Sequence, residues 1–131
     1  MLMFEQILAQ YPENLQTFKE SILKEYLQYK ILNSIFNSDY SNRLVFLGGT
    51  ALRIIYGNTR FSQDLDFDNF NLTEQEFGSL SQIIQRDLTL EGLEVETTIV
   101  TPKAYRIKIR IPKILFELGL SSLKEHKMQF F

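Results

Sequence analysis

Two short stretches hold the residues whose types and spacing could do chemistry. The first is Gly48-Gly49-Thr50, placed directly after the apolar run Leu44-Val45-Phe46-Leu47. The second is Asp64-Leu65-Asp66-Phe67-Asp68, in which carboxylates alternate with apolar side chains. A glycine pair ahead of a helix lets a phosphate approach backbone N–H groups and the positive end of the helix dipole. Alternation with a period of two puts Asp64, Asp66 and Asp68 on one strand face and turns Leu65 and Phe67 inward. Aspartate is a poor strand former, and like charges side by side repel. A bound divalent cation gives a reason to tolerate that arrangement, since Mg²⁺ is held by one or two carboxylates together with substrate phosphates and water. Anion donors and hard-cation ligands together describe the needs of a nucleotide carrying Mg²⁺. Each stretch also has a plainer reading. Glycines serve strand-to-helix junctions for conformational reasons alone, and an acidic strand can be a solvated edge that resists aggregation. Asp68, next to Asn69-Phe70-Asn71, fits the start of a turn as readily as a ligand.

The bulk properties narrow what can surround these stretches. A chain of 131 residues has the size of one domain and buries roughly two-thirds of its unfolded surface. Hydrophobic residues at 44% against 23% charged mark a globular chain rather than a disordered or membrane-spanning one. The absence of cysteine excludes disulfides, thiolate nucleophiles and Cys-ligated zinc, and it fits a reducing cytoplasm. The N-terminal stretch Met1-Leu2-Met3-Phe4-Glu5-Gln6 has no basic n-region and no cleavage site, so export is not expected. The net charge of −2 means that nucleic-acid binding would need a local basic patch. The single histidine, His126, reads as an ordinary surface residue.

Several elements must position the two stretches. The first ~35 residues read as helical, with Pro12 in a first turn and Thr17-Phe18-Lys19-Glu20 at capping-box spacing. Leu15, Phe18, Ile22, Leu23, Tyr26, Leu27, Tyr29, Ile31, Ile35 and Phe36 make a broad apolar face. Residues 37–42 form a polar loop, and Leu44 to Leu47 fit a strand buried on both faces. Thr50 can cap a helix from Ala51 to Tyr56, with Gly57 as its stop. Thr73-Glu74-Gln75-Glu76 is a second capping box, opening a helix to about Glu91 with Gly92 behind it. Its buried stripe is Phe77, Leu80, Ile83, Ile84, Leu88 and Leu90. Leu93 to Val100 and Ala104 to Ile111 read as a hairpin around Thr101-Pro102-Lys103. That loop length pairs Glu96 with Lys108, Glu94 with Arg110, and Arg106 with Thr98. Arg106, Lys108 and Arg110 then make either a charge-neutralised ladder or a nucleic-acid contact. Pro112 opens a short helix ending at Gly119, and Met128-Gln129-Phe130-Phe131 has strand composition; a chain stopping there reads as cut short. The expected class is α+β: a mixed β-sheet flanked by helices, one domain over residues 1–131, with residues 1–42 a mainly helical segment packed on it.

At Gly48-Gly49-Thr50-Ala51-Leu52-Arg53 and Arg60-Phe61-Ser62-Gln63-Asp64-Leu65-Asp66-Phe67-Asp68 the chain resembles the AbiEii/AbiGii toxin family of nucleotidyltransferases, within the DNA polymerase β-like superfamily. The likeness extends upstream through Glu25-Tyr26-Leu27-Gln28-Tyr29 and downstream through Arg106 to Pro112 and Glu117 to Ser121. It implies Mg²⁺-dependent transfer of a nucleoside monophosphate from a nucleoside triphosphate to an acceptor, which in some members is the tRNA 3′ end. It also implies the toxin of a toxin–antitoxin pair used in phage defence, cytoplasmic and with a cognate antitoxin. By the same resemblance Gly48, Gly49 and Thr50 touch the triphosphate, Arg53, Arg60 and Ser62 support the nucleotide, and Asp64 and Asp66 hold the metal and act in catalysis. Leu47 stands where the family often has a lysine. The superfamily's third carboxylate is matched by no residue, Asp68 and Glu96 being candidates by geometry, and the C-terminal part of the family fold is expected to be absent. A reading from another class follows: an inactive remnant acting through antitoxin binding or self-association at an uncovered sheet edge.

Overall fold

The computed structural model describes residues 3–47, 50, 53–54, 61, 65–69, 71–100, 106–112, 114–120 and 128–130. Helices α1 (Phe4–Leu8) and α2 (Lys19–Phe36) open the chain. Strand β1 (Leu44–Leu47) runs toward a helical segment containing Thr50, Arg53 and Ile54, and β2 (Asp66–Asn69) follows. Helix α3 (Glu74–Leu90) leads to β3 (Glu96–Val100), β4 (Arg106–Ile111), α4 (Ile114–Glu117) and β5 (Met128–Phe130). The α+β class is as expected. The described ladders are all antiparallel and form two sheets, β1-β2 and β3-β4-β5.

The core forms where α2, α3, β4 and α4 meet. Leu23, Leu27, Ile31 and Ile35 come from α2, Phe77, Leu80, Ile84 and Leu88 from α3, Ile109 and Ile111 from β4, and Ile114 and Leu115 from α4. Full burial of each such side chain stabilises the fold by about 1.5–3 kcal/mol. Helix α2 differs from its sequence pattern in two ways. It starts at Lys19 with Phe18 as N-cap and no side-chain cap, so the Thr17 capping box does not form. Pro12 instead caps a separate 3₁₀ turn, Glu13–Leu15. Its apolar face is also narrower than the pattern suggests, since Phe18, Tyr29 and Phe36 are exposed while Glu25, Gln28 and Ser34 are buried. The Ser34 hydroxyl donates to Asp87 Oδ2 at 2.7 Å and Lys30 pairs with Glu91 at 3.2 Å, so polar contacts join α2 to α3 beside the apolar ones.

Helix α3 follows its local signals closely. Thr73 Oγ1 accepts from Glu76 N–H, the Glu76 carboxylate accepts from Thr73 N–H, and Gly92 behind the helix sits at φ +89°. Leu90 departs from the expected stripe and is exposed at the last helical position. Strand β1 is not buried on both faces: Leu44 is buried, Val45 is exposed, and Phe46 packs on Phe67 with ring centroids 5.3 Å apart. The antiparallel partner β2 gives this ladder one covered and one open side, and Val45 lies opposite the exposed Asp68 on the open one.

The hairpin register is shifted from the expected one. Glu96 faces Arg110, Thr98 faces Lys108 and Val100 faces Arg106. The strands are separated by residues 101–105, longer than the three-residue loop, and the pairing slips by two positions. A slip of two keeps every side chain on its own face. Thr97, Ile99, Ile107 and Ile109 therefore still share the face toward α3, where Thr97 donates to Gln85 Oε1 at 3.0 Å. Strand β5 adds to β4 with Met128 opposite Ile111. The expected helix Ala51 to Tyr56 is described only at Arg53 and Ile54, both helical; its Gly57 stop, the loop Thr101-Pro102-Lys103 and His126 lie outside the described residues.

Arg43, just before β1, pairs with Glu76 in the first turn of α3 and reaches the Asn71 carbonyl at 3.5 Å. The hydrogen bonds from Arg43 and from the Thr73 backbone hold the Glu76 carboxyl down at about 2, against an ordinary 4.5. A depressed carboxyl contributes stability that is present above its unfolded value and lost as pH falls through its folded value. We therefore expect the urea midpoint to fall from pH 4.5 toward pH 2, and Arg43→Met to shrink that acid-dependent loss. Thr73→Ala should separately cost about 1 kcal/mol in urea denaturation at neutral pH.

Candidate nucleotide and metal site

The two chemistry-bearing stretches are sequence neighbours only loosely, yet the β1-β2 ladder joins them. Leu47 is the cross-strand partner of Asp66. The last residue before the glycine pair and the second aspartate of the acidic run are therefore backbone neighbours at one end of the ladder, at the few-ångström Cα spacing of an antiparallel pair. Asp68 pairs with Val45, nearer the other end, and is exposed. Gly48, Gly49, Arg60, Ser62 and Asp64 lie outside the described residues. Among the described residues no group of three His, Cys, Asp or Glu side chains gathers as a metal cluster. Glu96, the other geometric candidate for a third acid, faces Arg110 in the second sheet.

Thr50 and Arg53 are both helical, so Thr50 is already inside the helix rather than capping it. Three residues apart, they share a helix face. Thr50 is 1% exposed, and Arg53 turns its guanidinium onto Glu25 of α2. Arg53 Nε donates to Glu25 Oε2 at 2.7 Å and Arg53 Nη2 to Oε1 at 3.3 Å, with side-chain exposures of 14% and 6%. Tyr11 Oη donates to the same Oε1 at 2.6 Å. Three donors thus converge on one buried carboxylate, and among the described residues no buried side-chain polar atom lacks a partner.

The surroundings of this pair are aromatic. The guanidinium carbon of Arg53 lies 4.6 Å from the centre of the Phe61 ring, a cation–π arrangement. Phe61 also meets Tyr11 at 6.2 Å and Phe18 at 6.4 Å between ring centroids. The hydrogen bond to Glu25 raises the Arg53 pKa, so that cation is permanent. Burial, reinforced by the bond to Glu25, pushes the Tyr11 hydroxyl well above its ordinary value, so it stays a neutral donor.

A family model described as nucleotidyl transferase AbiEii toxin, type IV toxin–antitoxin system, matches residues 30–129. The chain belongs to this family. No curated protein and no solved structure matches it. AbiEii membership makes the chain a nucleotidyl transferase toxin by descent, which implies a nucleoside triphosphate substrate and an antitoxin as partner. No helix among the described residues is long and apolar enough to cross a membrane.

Reading the sequence for site residues did not reach Glu25 or Tyr11. A signal was present, since Glu25 is a lone carboxylate among Ile22, Leu23 and Leu27, and Arg53 is a cation in a helix start of apolar neighbours. Only the tertiary fold shows that the two meet. Removing one partner of a buried ion pair strands the other charge and costs about 3–5 kcal/mol, a large share of the about 5–15 kcal/mol that holds a domain together. Glu25→Ala and Arg53→Ala should each lower the urea unfolding free energy by that amount. The Glu25→Leu/Arg53→Met double variant should lose less than either, as measured by the same titration.

Proposed function

We propose that this AbiEii chain binds a nucleoside triphosphate with Mg²⁺ and transfers a nucleoside monophosphate to an acceptor of the tRNA type, as a cytoplasmic toxin of a phage-defence pair. The observation that carries the reading is the pairing of Leu47 with Asp66, which brings the strand entering the glycine pair beside the acidic run. Gly48 and Gly49 offer backbone N–H groups to the triphosphate. Thr50, buried next to the glycine pair, joins them as a triphosphate contact. Asp64 and Asp66 hold the cation, the donor set being two carboxylates with room left for phosphate oxygens. Arg60 and Ser62, between Arg53 and Asp64 in sequence, support the phosphates.

When bound, the metal neutralises charge that builds on the transferring phosphoryl group. The residues of the chain supply position: nucleotidyl transfer needs in-line alignment and charge neutralisation more than a covalent nucleophile. The RNA acceptor is supported by the cationic outer face of the hairpin, where Arg106 is exposed opposite Val100. Binding through such contacts weakens steeply with salt.

Titration calorimetry of the chain with Mg-GTP and Mg-CTP tests this reading. Binding should appear at millimolar nucleotide or below, require the divalent cation, and disappear in Asp64→Ala/Asp66→Ala. Absent binding, or binding unchanged in that double variant, defeats it.

A further inference from the structure

We propose that Glu25 is a positioning residue of the nucleotide site, acting through Arg53, with Tyr11 holding Glu25 in turn. The inference rests on the reading of Gly48, Gly49, Asp64 and Asp66 given above. Three observations carry it. A guanidinium held by a carboxylate through two separate nitrogens is fixed in rotation as well as in distance, which a single contact does not achieve. Arg53 belongs to the helical segment that follows the glycine pair, so the bond sets that segment against the rigid body of α2. The ring over the same guanidinium is Phe61, which stands three residues ahead of Asp64.

One partly buried cation therefore anchors both halves of the site: its own segment by covalent continuity, and the lead into the acidic run by its face. Buried ion pairs seldom stabilise a fold more than apolar residues of the same volume would. Geometry is what such a pair supplies, and phosphoryl transfer depends on geometry.

The inference also gives Arg53 a role different from direct phosphate contact, and the two roles have opposite consequences. If Arg53 touched the triphosphate, neutralising Glu25 would release the guanidinium toward it, and affinity would hold or tighten. If Glu25 positions the turn, affinity falls. Calorimetry with Mg-GTP and Mg-CTP on Glu25→Gln decides between them, with circular dichroism confirming that the variant is folded at the assay temperature. We expect affinity to fall about 10- to 100-fold, the scale of a small misplacement of binding groups. Glu25→Gln/Arg53→Met should be no weaker than Glu25→Gln alone, because the two residues act as one unit. Tyr11→Phe, which removes one hydroxyl and keeps the ring packed on Phe61, should give a smaller loss in the same direction and serves if Glu25→Gln does not fold.

A lowered melting temperature with nucleotide affinity unchanged in Glu25→Gln and Tyr11→Phe overturns the inference, and tighter binding in Glu25→Gln does so as well. Wild-type binding that is abolished by Asp64→Ala/Asp66→Ala but insensitive to these variants sinks the inference alone. If the wild-type chain binds neither nucleotide, the functional reading and the inference fall together.

Discussion

A carboxylate and a guanidinium cannot leave water cheaply, and in this fold the contact between α2 and the segment containing Arg53 depends on both doing so at once. Each charge alone would face a desolvation penalty of several kcal/mol. Together, with Tyr11 completing the donors around Glu25, they make a contact that only one relative placement of α2 and the Arg53 segment satisfies. Apolar packing is more forgiving, because side chains of similar volume can exchange and shift. That difference explains a division of labour. The bulk of the stability comes from the aliphatic interior between α2 and α3, whereas the placement of Arg53 against α2 is set by a few polar atoms at its margin.

The β1-β2 ladder is held differently at its two ends. At the Leu44 end, Arg43 links the start of β1 to the first turn of α3 by a contact that remains partly open to solvent. Such pairs contribute modestly and weaken with salt. Beyond the Leu47 end lies the Arg53–Glu25 pair, which is more enclosed than Arg43–Glu76 and therefore less screened by salt. The end at which Leu47 meets Asp66 is thus followed by the less screened of the two contacts.

How much of this was legible in the sequence depended on how local each cause is. Helix α3 was readable to within a residue because Thr73, Glu76 and Gly92 act on their own neighbours. The β1–β2 stretches were readable as strands, although β2 starts at Asp66, leaves Leu65 outside and runs on through Asn69. Their burial was not readable, since Val45 looks like any core valine until the antiparallel partner leaves its side uncovered. Hairpin pairing was right in face and wrong in register, because face is set by alternation while register is set by loop length. The Thr17 cap failed because the preceding chain turns through a proline-capped 3₁₀ segment instead. Glu25 was the least legible, since the partner that explains it stands 28 residues away.

The family match begins at residue 30, and Glu25 and Tyr11 lie upstream of that boundary. An expression fragment trimmed to the matched span would keep the glycine pair and every aspartate of the acidic run. It would nonetheless remove the counter-charge of Arg53 and the first half of α2, including Ile22, Leu23 and Leu27 from the interior. The span of the family match and the span of the packed interior are therefore different lines on this chain, and α2 crosses the first of them.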